Sequence, residues 1–374
     1  MPSVTHLTSA HPRYDTRIFH KQCKSLSRSD FLVSLVVADG AGNEVCDGII
    51  IYDVGRETSR IKRVVLTSRL IFKKAVEMDS DIYHIHDPEL IPVALRLKKL
   101  GKIVIFDSHE DVPKQILSKY YLHRYVRRIL SYLFSKYESR FSPRLDLIVA
   151  ATPSIGHKFQ KLGANSVVIN NFPIIDEFLV NDLTCRDKIG NQIVYIGGLE
   201  KVRGIQEMVL ALSFTSSPIR LKLAGRFSDP VFEKFVKTID SWSSVDFVGW
   251  LDRKGIESIL RQSVVGLVTL HPRANYVESL PVKMFEYMAA GIPVVASNFP
   301  YWAQIINEEK CGICVDPLDP VQIANAIDSL IESPGTSRKM GENGKQAIKE
   351  KYNWGIEEGK LLESYTLLDR KRYY

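Results

Sequence analysis

Short runs rich in Val, Ile and Leu recur along the chain, and each closes on polar or turn residues. They fall at 4–8, 31–39, 48–54, 81–87, 102–110 and 145–152, then at 191–198, 219–226, 245–250, 263–272 and 292–298. Runs of this length, β-branched and apolar throughout, predict buried strands. Longer amphipathic stretches such as 206–213 and 281–290 separate most of them and predict helices. Strand alternating with helix predicts parallel sheets covered by helices on both faces. The pattern occurs twice, with a break near 170–187, where Asn170-Asn171-Phe172-Pro173 gives way to a polar stretch. The expected fold class is therefore α/β: two doubly wound Rossmann-like domains facing across a cleft, 1–174 and 175–351. A last helix over about 352–368 is expected to pack back on the first domain. In such sheets ligands bind at the carboxyl ends of the strands, so the residues just after each strand carry the functional expectation.

Composition narrows the class. The 374 residues are 45% hydrophobic and 25% charged, which excludes a disordered, collagen-like or disulfide-scaffold chain. No run approaches the roughly 18 apolar residues of a membrane span. The start, MPSVTHLTSAHP, lacks a basic patch followed by an apolar core and does not read as a secretory signal. Five scattered cysteines, Cys23, Cys46, Cys185, Cys311 and Cys314, do not form a disulfide framework. Cys311-Gly312-Ile313-Cys314 lacks the second ligand pair of a zinc site and reads as part of a short buried strand. The net charge of +7 is unevenly placed: residues 1–174 carry 26 Lys+Arg against 17 Asp+Glu, a balance of +9, so the rest of the chain is at −2. An excess of positive charge in one half suggests an anionic partner.

The stretch 275–295 carries the strongest chemical signal. Ser279 is placed to cap a helix, Pro281 suits its first turn and Gly291 ends it. The free N–H groups of a helix start attract an anion. Glu278 stands just before that start and Glu286 lies inside the helix, and carboxylates accept paired sugar hydroxyls well. From spacing alone, a capped amphipathic helix with a surface glutamate is an equal reading.

Glu278 and Glu286 match the E-x7-E motif, and the surrounding ESLPVKMFEYMAAGIPVVAS resembles family 4 of the retaining glycosyltransferases, which have the GT-B fold. The similarity continues in IVYIGGLEKVRGI, LKLAGRF, VDFVGWL and YNWGIEEGKLLESY, and in THLTSAHPRYDTRIFHKQ and IYHIHDPELIPVALRLKKLGKIVIFDSHED. This resemblance implies that Glu278 contacts donor-sugar hydroxyls and Glu286 the ribose. It implies that amides about Ser279, Leu280 and Val282 hold the diphosphate. The family commonly places an arginine and a lysine in G-R-x-x-x-x-K-G to neutralise that diphosphate. Here Gly197 is followed by Gly198 at the arginine position, and Arg203 occupies the lysine position. One expected cation is missing, and Lys201, Arg226 or Lys283 is placed to compensate. The resemblance also implies that His109, in Asp107-Ser108-His109-Glu110-Asp111, contacts the transferred sugar.

Two further features lie in the first half. His11-Pro12-Arg13-Tyr14-Asp15-Thr16-Arg17 follows the first strand and precedes a helix. Arg13, Asp15 and Arg17 there, with His86 at a later strand end, are candidates for holding an anionic acceptor; the alternative is solvent-facing charge. His84, His86, Asp87, Glu110 and Asp111 also raise a metal cluster, but no helical ligand spacing accompanies them, and no metal is expected. Residues 119–144 hold seven Lys+Arg against one Glu. Val126, Ile129, Leu130, Leu133, Phe134 and Tyr137 share one helical face, and Arg124, Arg127 and Arg128 lie on the other side. Such a helix suits an anionic membrane surface or, more simply, a core helix with a basic outer face. No nucleic-acid motif accompanies the charge.

The resemblance thus implies a retaining, metal-independent glycosyltransferase, with His109, Glu278 and Arg203 as catalytic candidates. Gly197, Gly198, Arg203, Arg226, Ser279, Leu280, Val282, Lys283 and Glu286 form the expected donor site. The donor is a nucleotide-diphosphate sugar and no cofactor is expected. The acceptor is a glycan or lipid-linked hydroxyl, and surface-polysaccharide synthesis on the cytoplasmic face of the plasma membrane is the expected setting. A nucleotide-sugar epimerase, a sugar phosphorylase or a non-catalytic binding module on the same fold are the alternatives. A hydride-transfer enzyme is disfavoured by the absence of G-x-G-x-x-G.

Overall fold

The computed structural model describes residues 1–59, 63–119, 121–175 and 190–370. Cys185 lies outside them. The described chain divides into two compact units: Met1–Asn171 with the helix Trp354–Arg370, and Phe172–Asn353.

The first unit is built on an eight-stranded sheet. Its strands are β1 (Ser3–Leu7), β2 (Leu32–Val37), β3 (Glu44–Cys46), β4 (Ile49–Asp53), β5 (Ile82–Ile85), β6 (Ile103–Ser108), β7 (Leu147–Ala150) and β8 (Ser166–Val168). Their order is β3-β4-β2-β1-β5-β6-β7-β8. The pairs are parallel except β3 with β4, an edge hairpin that strand-length patterning did not predict. Asp47 and Gly48, at φ 51° and 76°, make its two-residue turn; consecutive positive φ values are what a tight hairpin matching strand twist requires. The Val/Ile runs of β1, β5, β6 and β7 are buried on both faces, as covered parallel strands must be.

Helix Trp354–Arg370 is tied to this unit by polar contacts as well as by Leu361 and Leu368. Trp354 Nε1 donates to Ser25 Oγ at 3.0 Å, and Glu357 accepts from the Asn170 amide at 2.8 Å. Tyr365 Oη meets His84 Nδ1 at 2.7 Å, buried beneath the sheet.

The second unit holds six parallel strands: β9 (Gln192–Ile196), β10 (Arg220–Ala224), β11 (Val245–Gly249), β12 (Val265–Val268), β13 (Val294–Ser297) and β14 (Gly312–Val315). Their order is β11-β10-β9-β12-β13-β14. Two apolar clusters cover its faces, one centred on Met284, Tyr287 and Trp302, the other on Met208, Leu221 and Ile327. Cys311 is buried and Cys314 half-buried beside β13; both are free thiols, as are Cys23 and Cys46. No helix among the described residues is long and apolar enough to cross a membrane.

Candidate functional site

In the second unit, β9 ends at Ile196 and the chain turns through Gly197 and Gly198. Gly197 has φ +140°, and a Cβ there would come within 2.7 Å of the Lys283 ammonium. Only glycine combines that backbone with that close approach. The turn Lys201–Arg203 follows and closes on Gly204 at φ +76°, where a Cβ would strike the carbonyl of Thr269. This turn is thereby pressed against the chain just after β12. The Arg203 guanidinium lies over the Tyr276 ring at 5.4 Å, and its Nε is buried without a hydrogen-bond partner among the described residues.

Helix Val282–Ala289 begins later than Ser279 suggested. Pro281 is the residue before its first turn and has no side-chain cap to offer it. Ser279 is drawn into the preceding turn instead: its Oγ donates to the Tyr276 carbonyl at 2.9 Å, and its own carbonyl accepts from Trp302 Nε1 at 2.6 Å. Ser279 Oγ is therefore not offered to the first amides of the helix, and the amides of a helix start favour an anionic ligand.

Tyr287 fixes the position of this helix. Its ring fills the space left open by Gly266 in β12, and its hydroxyl accepts the Ile196 N–H at 3.0 Å. Lys283, one turn earlier, is consequently aimed at the Gly197-Gly198 turn. Lys283 Nζ donates to Tyr195 Oη at 2.8 Å and lies 4.0 Å from that ring's centre, while Tyr195 donates to the Gly198 carbonyl at 2.9 Å. Burial holds the Lys283 pKa well below the usual lysine range. Arg203 pushes it further down, against Glu286 and Glu200.

The two motif glutamates differ in setting. Glu278 is exposed on the segment before the helix, and Glu286 is half-buried with Arg253 Nη1 at 3.3 Å from its Oε1. Arg226 is exposed and stacks on Trp250 at 5.4 Å; Leu280 packs against the apolar core. Tyr195, Tyr276 and Arg253 were not singled out from the sequence. Each contacts a motif residue only through the fold, and an aromatic at a strand end is too common a signal to stand out.

In the first unit, His109 follows β6 and Asp107 lies next to the end of that strand. Asp107 is fully buried and accepts from Arg17 Nε at 2.9 Å, Arg17 Nη2 at 2.8 Å and Gln22 Nε2 at 2.7 Å. His109 Nε2 lies 3.0 Å from the same carboxylate. Burial alone would raise the Asp107 pKa, but Arg17, His109 and His86 hold it well below the usual carboxylate range. Behind His109 lie His86, His6 and His84, all buried. His86 Nδ1 is 3.4 Å from both Asp107 and His109 Nε2, and His86 Nε2 is 2.9 Å from His6 Nδ1. Burial pushes the His86 pKa down to about 3 and depresses His6 and His84 strongly as well.

His6 escaped the sequence reading because only the β1–β5 register sets it opposite His84. His6, His84 and His86, and likewise His86, Asp107 and His109, have ligand atoms within 4.8 Å of one another. These residues would hold a metal if any here did. Both nitrogens of His86 are engaged by its neighbours, while His6 Nε2 and His84 Nε2 are buried with no hydrogen-bond partner among the described residues. Asp87 accepts from Thr8 and the Ser9 amide, and His11 lies beside Asp15 and Asp87.

Arg13 and Arg17, expected to offer guanidinium groups to an anionic acceptor, are turned inward. Arg13 pairs with Asp39 through Nε at 2.8 Å and Nη2 at 2.7 Å, and with Glu44 at 2.6 Å. Arg17 is spent on Asp107 and the Ile169 carbonyl. Both are nearly enclosed, at 8% and 3% exposure, where an unpaired guanidinium would be costly, so carboxylates claim them. Asp15 caps the helical segment Thr16–Cys23 by accepting from the Arg17 and Ile18 amides. His86 faces His109, not solvent.

The basic helix Arg124–Phe141 buries only Ser131, Glu138 and Phe141 fully. Its predicted apolar face is largely outside: Val126, Ile129, Leu130 and Leu133 are all exposed, between 42% and 59%, as are the neighbouring Tyr125 and Tyr132. Phe134 and Tyr137 are the members of that face that reach the core. Arg124 and Arg128 are exposed and Arg127 half-buried.

Residues 16–173 match the family described as Glycosyltransferase Family 4, and residues 186–347 match Glycosyl transferases group 1. A phosphatidyl-myo-inositol mannosyltransferase of Mycobacterium leprae is 22% identical over 300 residues, 78% of this chain and 74% of that protein. The alignment with another relative, at 26% identity, spans 41% of that relative's length. Among solved structures, sucrose-phosphate synthase of Thermosynechococcus elongatus superposes with a TM-score of 0.78 at 18% identity, covering 99% of this chain and 100% of the other. HepE of Anabaena, in complex with UDP and glucose, superposes at 0.73 with 15% identity, over 98% and 100%.

Proposed function

From the premise that this chain belongs to the family 4 glycosyltransferases of GT-B fold, we propose that it transfers a sugar, with retention at the anomeric carbon, from a nucleotide-diphosphate sugar to a hydroxyl of a glycan or lipid-linked acceptor. The observation that carries this reading is the group around the start of helix Val282–Ala289. Arg203 stands beside it with a buried Nε that has no hydrogen-bond partner among the described residues, and Glu278 and Glu286 lie on either side. This arrangement suits a diphosphate between two sugars: cation and helix amides for the phosphates, carboxylates for the hydroxyls.

In the proposed reaction the donor lies on the second unit. Arg203, the helix start and the Gly197-Gly198 turn bind the diphosphate and stabilise the charge that gathers on it as the glycosidic bond breaks. Glu286 takes the ribose hydroxyls, for which Arg253 must share it. Glu278, exposed on the segment before the helix, takes those of the sugar. Arg226 and Trp250 frame the base. The acceptor lies on the first unit, where His109, held by Asp107, orients the transferred sugar. The departing phosphate oxygen receives the acceptor proton, so no dedicated base and no metal are required.

A lipid-linked acceptor is supported by the exposed apolar and basic side chains of Arg124–Phe141, which suit the headgroup region of an anionic membrane. The similarity to a mycobacterial phosphatidyl-myo-inositol mannosyltransferase points the same way. Surface-polysaccharide synthesis on the inner membrane face fits these features.

A thermal-shift screen of the protein against UDP, GDP, ADP, CMP and TDP, with and without EDTA, tests the donor site. The expected result is a shift of several degrees with one diphosphate, insensitive to EDTA and lost in Glu286→Ala. No shift with any nucleotide overturns the reading. Product mass then separates transfer, which adds a sugar to an acceptor, from epimerisation, which leaves the donor mass unchanged.

A further inference from the structure

The family pattern places an arginine directly after Gly197, and this chain has Gly198 there. The structure shows what stands at that turn instead. Lys283 Nζ would lie only 2.7 Å from a Cβ on Gly197, and it donates to Tyr195 Oη, which in turn donates to the Gly198 carbonyl. The ammonium therefore reaches the Gly197-Gly198 turn from the opposite side, from the first full turn of helix Val282–Ala289. Resting on the donor site proposed above, we infer that Lys283 is the second diphosphate-binding cation, replacing the arginine missing at position 198, and that it takes up a proton from solvent when the diphosphate binds.

The argument is electrostatic. Arg203 is close enough to disfavour the charge on Lys283, and the Lys283 ammonium donates to a neutral phenol, Tyr195. The groups facing Lys283 are Tyr195 from β9, Glu200 and Arg203 from the turn after it, and Glu286 one turn along its own helix. Glu286 is already shared with Arg253. Burial and Arg203 outweigh the two glutamates, so Lys283 loses its proton far more readily than a solvated lysine. A diphosphate arriving between Lys283 and Arg203 reverses that balance: two cations then flank two negative phosphates, and the charged lysine is restored. Arginine at position 198 would carry its charge permanently; lysine at 283 makes the charge conditional on the ligand.

Titration calorimetry of the full chain with the nucleoside diphosphate selected by the thermal screen tests this. Measured at about pH 8 in two buffers of different ionisation enthalpy, binding of the diphosphate is expected to take up a fraction of a proton. Lys283→Met is expected to abolish the uptake and weaken binding about 10- to 100-fold, the loss of one charged hydrogen-bond partner. Lys283→Arg should bind without uptake. Gly198→Arg has room, since a Cβ at Gly198 meets only the Glu200 carboxylate at 3.7 Å; added to Lys283→Met, it should restore affinity without restoring uptake. Diphosphate binding with no proton uptake in the natural chain, or unchanged affinity in Lys283→Met, overturns the inference and leaves the donor site standing. Absence of binding by every nucleoside diphosphate overturns the donor site itself.

Discussion

Asp107 holds His109 by an oxygen 3.0 Å from the ring Nε2 while the same carboxylate is gripped from behind by both Arg17 Nε and Nη2. The ring's orientation is therefore set from inside the sheet. Asp107→Asn keeps the shape but strands the enclosed Arg17 guanidinium, and should cost about 3–5 kcal/mol in urea unfolding. His109→Ala, at a partly exposed position, should change stability by less than about 1 kcal/mol and lower kcat about 100- to 1000-fold. An equal loss of stability in both variants would contradict this division of roles.

The two motif glutamates should separate kinetically. Glu286→Ala is expected to weaken binding of the free nucleoside diphosphate. Glu278→Ala is expected to leave that binding unchanged and to lower turnover by about 2–4 kcal/mol in transition-state terms. Wild-type turnover in Glu278→Ala would remove it from the sugar site.

The histidine cluster should make the fold acid-sensitive. His6, His84 and His86 have folded-state pKa values depressed by burial, whereas in the unfolded chain they titrate near about 6.5. Below that value the unfolded state binds more protons, so stability falls as pH drops, by about 1.4 kcal/mol per pH unit for each histidine. Glu138, pushed up to about 7 by burial despite Lys158, acts oppositely, as does His11, raised by Asp15 and Asp87 against its own burial. Three groups outweigh two, and the net expectation is a urea midpoint lower at pH 5.5 than at pH 7.5. A flat profile would mean that the three histidines are protonated in the fold.

Helix Arg124–Phe141 should bind anionic vesicles. Ile129→Glu with Leu133→Glu changes exposed positions only, so thermal stability should hold while co-sedimentation with phosphatidylglycerol vesicles is lost. Retained co-sedimentation would place the membrane contact elsewhere.

Turnover should survive EDTA. His86 is bonded to His6, Asp107 and His109, and the diphosphate is neutralised in the proposed reaction by protein cations. Inactivation by EDTA with rescue by one divalent ion would assign that ion to His86, Asp107 and His109 or to His6, His84 and His86.

Much of this protein is legible in its sequence, because the relevant signals are local. Strand length, β-branched composition and the alternation with helices depend on neighbouring residues, and they yield two doubly wound sheets. The E-x7-E spacing places Glu278 and Glu286 at one helix without knowledge of anything distant. Local signals fail where a side chain has a choice of partner. Arg13 and Arg17 look like solvent-facing charge at a helix start; Asp39 and Asp107, reached only when β2 and β6 join the sheet, draw them inside. His6 looks like a stray polar residue on a strand until β1 pairs with β5, and His84 finds its partner in Tyr365, 281 residues away. The apolar stripe of Arg124–Phe141 has the period of a core helix, yet packing at Ser131, Glu138 and Phe141 leaves most of it outside. Lys283 meets the Gly197-Gly198 turn only because Tyr287 seats its helix over Gly266. Periodicity decides which face of an element is apolar; which charge that face meets is decided by contacts that exist only after the elements have packed.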